Sequence, residues 1–450
     1  MNTVLVTIGN TFQARDLLRS DFFKLLKEDN LWRVILLVPS EKIEHYRQVY
    51  GGGRVVVEIN PTKREKLNKF ETLAYVLGHY SIPSNTTKIL HNRLKNRPLV
   101  YLLSNFCWFL GHTRLWREFI RWLFARATSG SHFRTLLDKY KPDLVYTVNL
   151  LNFDEFRLLY ESRRRGIKTY ALILSWDNLN SKLFIYFKAR NYIVPNSFIK
   201  EELVGVGDVS PNRVNVSGTV KYDGYFRKEG IVSKKEFFRQ LGIPADNKLV
   251  VYCLSTKNTS PVYEDIFDDL ISIKNEISSA DKISWIIRGY PKYILPSELI
   301  DKIKRSGFIY NHPSDFSDSG RDYEIKNEDD AFLHNLFFHA DLFITNYSTV
   351  VVEASIYDKP IININYDGKI DKPYSRSVKR VRDYTHYRQI IEAEGEDYVN
   401  NKTELATLIT KYLRNPELRR AGRARVVREQ CVFTDGQSGR RMYEYLVSLI

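Results

Sequence analysis

Ala340-Asp341-Leu342-Phe343-Ile344-Thr345-Asn346-Tyr347-Ser348-Thr349-Val350-Val351-Val352-Glu353-Ala354 predicts a buried strand, a tight turn and a helix. Leu342 to Thr345 are apolar or β-branched, Asn346 and Tyr347 make the turn, and Ser348 or Thr349 is a natural N-cap. Val350, Val351 and Ala354 share one helix face. Asp358-Lys359-Pro360 closes the helix, and Ile361 to Ile364 starts the next strand. Such a βαβ unit puts its loop and helix start at the carboxyl end of the sheet. Unpaired N–H groups and the helix dipole favour a phosphate there. Most βαβ turns bind nothing, so an ordinary turn is the competing reading.

At 450 residues the chain is too long for one core of ordinary size, which predicts two or three domains. Hydrophobic residues at 43% and charged residues at 27% are globular values. The net charge of +15 favours acidic partners: nucleic acid, anionic lipid or phosphorylated substrates. Cys107, Cys253 and Cys431 match no metal spacing and predict free buried thiols in a reducing compartment. Met1 leads directly into the strand Val4 to Ile8, which predicts no signal peptide. No run reaches the ~20 apolar residues of a spanning helix.

Strands are predicted at residues 3–8, 33–38, 55–59, 143–148, 168–174, 192–194 and 214–217. In the second half they fall at 248–254, 283–287, 342–345 and 361–364. Alternation with helices, including one from Phe12 to Lys27, implies mostly parallel, doubly wound sheets. Residues 311–330 read as a polar loop. Gly9-Asn10 at the end of the first strand permits close approach of a ligand, although a tight turn explains it equally well. Between Arg64 and Thr128 the pattern becomes helical, aromatic and basic. On a wheel of residues 114–126, Leu115, Trp116, Phe119, Ile120, Trp122, Leu123 and Phe124 share one broad face, opposite Arg114, Arg117 and Arg121. That pattern suits an in-plane membrane helix or a core helix with a solvated basic side.

Thr345-Asn346-Tyr347-Ser348-Thr349, Glu353-Ala354 and Lys359-Pro360-Ile361-Ile362 together resemble the donor-site segment of glycosyltransferases of the GT-B fold. The resemblance is to the branch that includes the CDP-glycerol glycerophosphotransferases. Asn346 replaces that branch's acidic residue, and Thr349 its second serine. Arg288-Gly289-Tyr290-Pro291 resembles its Arg-x-His-Pro, with Tyr290 at the histidine. Trp176-Asp177-Asn178 stands at the place of its Trp-His-Gly, and Gly218 to Asp223 resembles its glycine-plus-aspartate turn. The resemblance implies an α/β protein with two Rossmann-like doubly wound domains facing a central cleft and a helical insertion in the first. Residues 1–225 would form the acceptor domain, with the insertion at 64–128. Residues 226–435 would form the nucleotide-donor domain, and 436–450 a final helix crossing back to the first domain.

By that resemblance Asp177 is the base that takes the acceptor's proton, and a cap of the next turn is its plainer role. Thr256, Lys257 and Arg288 would neutralise the leaving nucleoside diphosphate beside Asn346, Tyr347, Ser348 and Thr349, without a metal or cofactor. Glu353 would accept from ribose hydroxyls. Gly9, Asn10, Asn178, Lys182 and Gly218 would line the acceptor side. His312, His334 and His339 lack ligand spacing. No Walker loop, Gly-x-Ser-x-Gly elbow or dinucleotide glycine motif is present.

The implied activity is inverting transfer of a sugar from a nucleotide-activated donor to a surface-polysaccharide or glycolipid precursor. It would act in the cytoplasm, peripherally on the inner face of an anionic membrane. Polyol-phosphate transfer from a CDP-linked donor and nucleotide-sugar epimerisation are alternatives on the same fold. A nucleic-acid-binding protein is the alternative from another class, but Arg163-Arg164-Arg165 and Arg376 to Arg382 belong to no recognisable module, so no specific nucleic acid is implied.

Overall fold

A computed structural model describes residues 1–61, 67–148, 150–256, 261–277, 282–316, 323–326 and 328–448. The chain forms two compact units: Met1–Asp223 with Cys431–Ile450, and Gly224–Gln430.

In the first unit, strands β1 (Asn2–Thr7), β2 (Trp32–Val38), β3 (Val55–Ile59), β4 (Leu144–Thr147), β5 (Lys168–Leu172), β6 (Asn191–Val194) and β7 (Val214–Val216) form one sheet. Their order is β3-β2-β1-β4-β5-β6-β7, and every pairing is parallel. Alternate residues bury both faces, as a sheet covered by helices requires. Val4 and Val6 pack with Phe22, Leu26, Met442 and Leu446, while Leu5, Ile35 and Leu37 pack with Phe133, Leu137 and Leu158. The helix predicted at 12–27 is broken. A short turn over Thr11–Leu18 precedes the helix Asp21–Glu28, and the Ser20 hydroxyl donates to the Leu17 carbonyl at the break.

The insertion is helical: Lys69–Tyr80, Asn85–His91, Pro98–Gly111 and Arg114–Ala127. A buried ion pair ties it to the sheet layer. Arg157 donates to both Glu71 oxygens, at 3.0 and 2.6 Å, and Thr128 Oγ1 adds a third donor at 3.0 Å. Ile120 and Phe124 complete the seam against Phe156 and Leu159.

In the second unit, β8 (Lys248–Cys253), β9 (Ile283–Arg288), β10 (Ile309–Asn311), β13 (Leu342–Thr345), β14 (Ile361–Ile364) and β15 (Asp397–Val399) give the order β10-β9-β8-β13-β14-β15, again all parallel. Within residues 311–330, expected as loop, β11 (Ser314–Phe316) and β12 (Tyr323–Ile325) pair antiparallel. Three-residue strands such as β10 and β15 are too short to carry a periodic signal. Each unit is an α/β sandwich of Rossmann type, and its order reverses at one point where ligands of such sheets bind. In the second unit that point lies between β8 and β13.

Candidate functional site

The register at the reversal pairs Ile344 with Tyr252, so the ends of β8 and β13 open side by side. Beyond β8, the Ser255 carbonyl accepts from Tyr263 (2.5 Å) and Tyr293 (2.7 Å) hydroxyls, which anchors the backbone leading to Thr256. Lys257 lies outside the described residues.

Beyond β13, Asn346 is fully buried. Its Oδ1 accepts from the Tyr252 hydroxyl at 3.0 Å and its Nδ2 donates to the Ile364 carbonyl at 3.4 Å. This side chain binds its neighbouring strands. Tyr347 adopts a left-handed backbone with φ of 42°, a strained conformation for a side chain of its size. A polar network holds it there. Its N–H donates to Asn363 Oδ1 at 2.7 Å and its hydroxyl to Asn365 Oδ1 at 2.6 Å. Asn363 Nδ2 donates in turn to Glu396 Oε2 (2.9 Å), and the Tyr387 hydroxyl donates to Glu396 Oε1 (2.9 Å). Burial pushes the Glu396 carboxyl up to about 7. Sequence reading missed this network, because Asn363, Tyr387 and Glu396 share no local spacing.

Thr349 occupies the cap position of the helix Val350–Ile356 but makes no side-chain cap bond, whereas Ser348 Oγ accepts from the Val350 N–H at 3.4 Å. The Ser348 and Thr349 amides donate to no group among the described residues. Glu353, one turn on, is buried towards β8. The Cys253 thiol, pushed up to about 12 by burial, feels both Glu353 and Arg288.

Arg288 is not an open cation. Its guanidinium pairs with Asp329 at 2.5 Å and with Asn311, and lies 5.3 Å from the Phe332 ring centroid. The three histidines each reach backbone carbonyls: His312 those of Tyr290 and Tyr293, His334 that of Glu229 and His339 that of Val232.

In the first unit, Asp177 sits in the turn after β5. It holds the cap position of a short wide turn over Asn178–Lys182, yet makes no cap bond. Instead it accepts from the Ser175 hydroxyl at 2.8 Å and pairs with Lys182. Gly9 and Asn10 are engaged locally: Gly9 N–H donates to Gln13 Oε1 (2.9 Å), and Asn10 Oδ1 accepts from Gln13 N–H (3.1 Å). Gly218 has φ of 88°, and a Cβ there would meet Ser438 Oγ at 2.5 Å. Asp223 accepts from the Ser438 and Gly439 amides, at 3.0 and 2.9 Å. These two residues therefore seat the final helix, Ser438–Val447.

The helix Arg114–Ala127 corrects the wheel. Arg117 and Arg121 are buried and share Asp208, each with a 2.6 Å contact, so they do not form a solvated or headgroup-facing side. Ile120 and Phe124 are buried with them, and the Trp116 indole donates to Ser81 Oγ at 2.8 Å. Exposed instead are Leu115, Phe119 and Trp122, together with Leu99, Leu102, Leu103, Phe106 and Phe109 of the helix Pro98–Gly111. Arg93, Lys95, Arg97, Arg114 and Arg126 are exposed around them. Among the described residues no helix is long and apolar enough to cross a membrane.

Residues 304–448 match the family described as CDP-Glycerol:Poly(glycerophosphate) glycerophosphotransferase. The fold is similar to that of the UDP-GlcNAc 2-epimerase of Neisseria meningitidis bound to UDP-GlcNAc, with TM-score 0.58, 11% identity, and 99% of this chain and 100% of that one covered. It is also similar to the UDP-GlcNAc 2-epimerase of Methanocaldococcus jannaschii (TM-score 0.55, 13% identity, 100% of both chains). A variant of the wall teichoic acid polymerase TagF matches with TM-score 0.50 and 13% identity, over 99% of this chain and 88% of that one. Comparison with curated proteins found no match. These findings support an enzyme of the glycosyl- or glycerophosphate-transferase type. The chain is built on the GT-B fold, and residues 304–448 match the CDP-glycerol glycerophosphotransferase family model.

Proposed function

We propose that the protein transfers a sugar from a nucleotide-activated donor to a hydroxyl of a surface-polysaccharide or glycolipid precursor, without a metal and with inversion. One observation carries the reading. The open Ser348 and Thr349 amides stand at the reversal point of the second sheet, inside the segment that matches a family of transferases using nucleotide-linked donors. The donor's phosphates sit against these amides and hydroxyls, with Thr256 beyond the neighbouring strand β8 and Lys257 next to it in sequence. Arg288 shapes the site through Asp329 and Asn311. Asp177 takes the proton of the acceptor hydroxyl as the new C–O bond forms and the bond to the leaving phosphate breaks. In this reading Glu353, one helical turn beyond Thr349, accepts from a ribose hydroxyl. The exposed insertion helices bring the enzyme to the inner face of an anionic membrane, where a lipid-linked acceptor resides.

The family match itself favours a second reading, attack on phosphorus with transfer of a polyol phosphate from a CDP-linked donor. The by-product separates the two. Sugar transfer releases a nucleoside diphosphate, and polyol-phosphate transfer releases CMP and leaves phosphorus in the product. A panel of nucleotide-linked donors is first screened by melting temperature, because a ligand that binds the native state raises it. The donor that stabilises is then incubated with acceptor and the released nucleotide identified. Nucleoside diphosphate is the expected result. An isomerised donor formed without acceptor would identify an epimerase instead.

A further inference from the structure

Glu202 lies on the helix Ser197–Gly205, packed against the turn that carries Asp177. Its Oε1 accepts from Asn180 Nδ2 at 3.2 Å, and the same amide group donates to the Trp176 carbonyl at 2.7 Å. The Asn180 carbonyl accepts from Ser84 Oγ and from Thr87 Oγ1 at the start of an insertion helix. Asn180 is buried; its side chain links Glu202 to the Trp176 backbone, and its backbone carbonyl links the turn to the insertion. The second carboxyl oxygen, Oε2, is buried with no hydrogen-bond partner among the described residues. Two carboxyls therefore act on one turn, Asp177 from within it and Glu202 from the helix against it, in opposite circumstances. Asp177 has donors from Ser175 and Lys182, which favour its charge. Glu202 has one weak donor and a bare oxygen, which favour its proton. Burial, opposed by the Asn180 bond and reinforced by the Asp177 charge, pushes Glu202 up to about 7.

We propose that Glu202 is a positioning residue: it fixes the Trp176–Lys182 turn through Asn180 while its carboxyl keeps its proton, and loosens the turn when it ionises. Ionisation would place a second negative charge beside Asp177 and leave a charged oxygen buried without a donor. The turn can relieve both only by moving. The helix Arg114–Ala127 brings charge to the far end of this helix, where Arg117 donates to the Gly205 carbonyl at 3.3 Å and pairs with Asp208. β6 contributes Tyr192, whose hydroxyl accepts from the Ala189 N–H, and β7 carries no ionisable residue. On the turn itself Lys182 is occupied by Asp177, and Lys200 and Glu201 flank Glu202 on its own helix. The consequence for turnover rests on the reading of Asp177 as the base, but the movement of the turn does not.

The test therefore needs no substrate. Trp176 emission is isolated as the difference between the protein and Trp176→Phe, and followed from pH 5.5 to 8.5. An inflection near pH 7 is expected, and it should vanish in Glu202→Gln, which keeps an acceptor for Asn180 but does not ionise. As a second variant, Asp177→Asn removes the like charge and should move the midpoint down by roughly half a unit. No inflection in the wild type, one that persists in Glu202→Gln, or a midpoint unmoved by Asp177→Asn would overturn the proposal. If the emission responds as expected but Asp177→Asn leaves transfer unchanged, the reading of Asp177 fails while the positioning role stands.

Discussion

The exposed rings of the insertion give a prediction whose size follows from the structure. Phe106, Phe109 and Trp122 are 58%, 69% and 52% exposed. At roughly 200 Å² per aromatic side chain, each offers about 120 Å² to a partner. At ~25 cal/mol per Å², complete burial would be worth about 3 kcal/mol per ring. An in-plane helix sinks only partly into the headgroup boundary, so half that figure is appropriate. Changing all three to serine should weaken partition onto vesicles by about 4–5 kcal/mol, on the order of a thousandfold. The assay is sedimentation with vesicles of phosphatidylcholine and an anionic lipid, alongside thermal unfolding. Because the rings are exposed, the melting temperature should stay within a few degrees. Raising salt should release the wild type, since Arg93, Lys95, Arg97, Arg114 and Arg126 contribute through surface charge. Equal partition of variant and wild type would refute the argument, and a collapsed melting temperature would mean that the rings serve the fold.

Four further outcomes are expected. Asp208→Ala should cost about 3–5 kcal/mol in chemical denaturation, because Arg117 and Arg121 then remain buried without their shared carboxylate. Arg288→Ala should cost a similar amount by stranding buried Asp329, and the apolar pair Arg288→Met with Asp329→Leu should recover most of it. The Glu396 carboxyl, raised from 4.5 to about 7 by burial, holds its proton in the native state where the unfolded chain has lost it. Its stability contribution is complete below pH ~4.5 and lost as pH rises to ~7, so Glu396→Gln should flatten that decline when unfolding is measured across the range. Asp177→Asn should lower the transfer rate by about 10²–10⁴-fold at saturating donor while donor affinity stays the same, and a near-normal rate would remove Asp177 as the base.

The sheets were legible because parallel strands buried on both faces are nearly continuous apolar runs, as Val4 to Val6 and Leu342 to Ile344 show. The helix start after Ser348-Thr349 was legible because turn and cap residues are local signals. What the sequence hides is every partner supplied from a distance. Arg288 looks like a free cation at a strand end until Asp329, 41 residues on, takes its charge. Asn346 looks like a ligand contact until Tyr252 on the neighbouring strand occupies it. Gly218 and Asp223 resemble a linker turn, and become intelligible only when Ser438 and Gly439, more than 200 residues later, arrive on them. A side chain's neighbours along the chain set its local backbone, but its charge state and availability are decided by residues the topology brings in.

The helix Arg114–Ala127 carries this furthest, because its periodicity was legible and its orientation was not. A wheel with arginines opposite aromatics invites the rule that the apolar side faces the core. Here Arg117 and Arg121 go inward, because Asp208 and the carbonyls of Gly111, Ile185 and Gly207 satisfy their guanidiniums. Leu115, Phe119 and Trp122 are left outside, next to the exposed side chains of the preceding helix. Judged by water alone this arrangement is unfavourable twice over. It desolvates two charges that then need compensation, and it leaves several large apolar side chains in contact with solvent. Isolated exposed apolar residues need no explanation, but a continuous patch across two helices does. Against a membrane surface the second term changes sign, while the first is compensated within the fold by Asp208. The apolar side chains gain a partner, and the buried arginines hold the helix so that those side chains point away from the fold. The outer cations at 93, 95, 97, 114 and 126 then meet anionic headgroups.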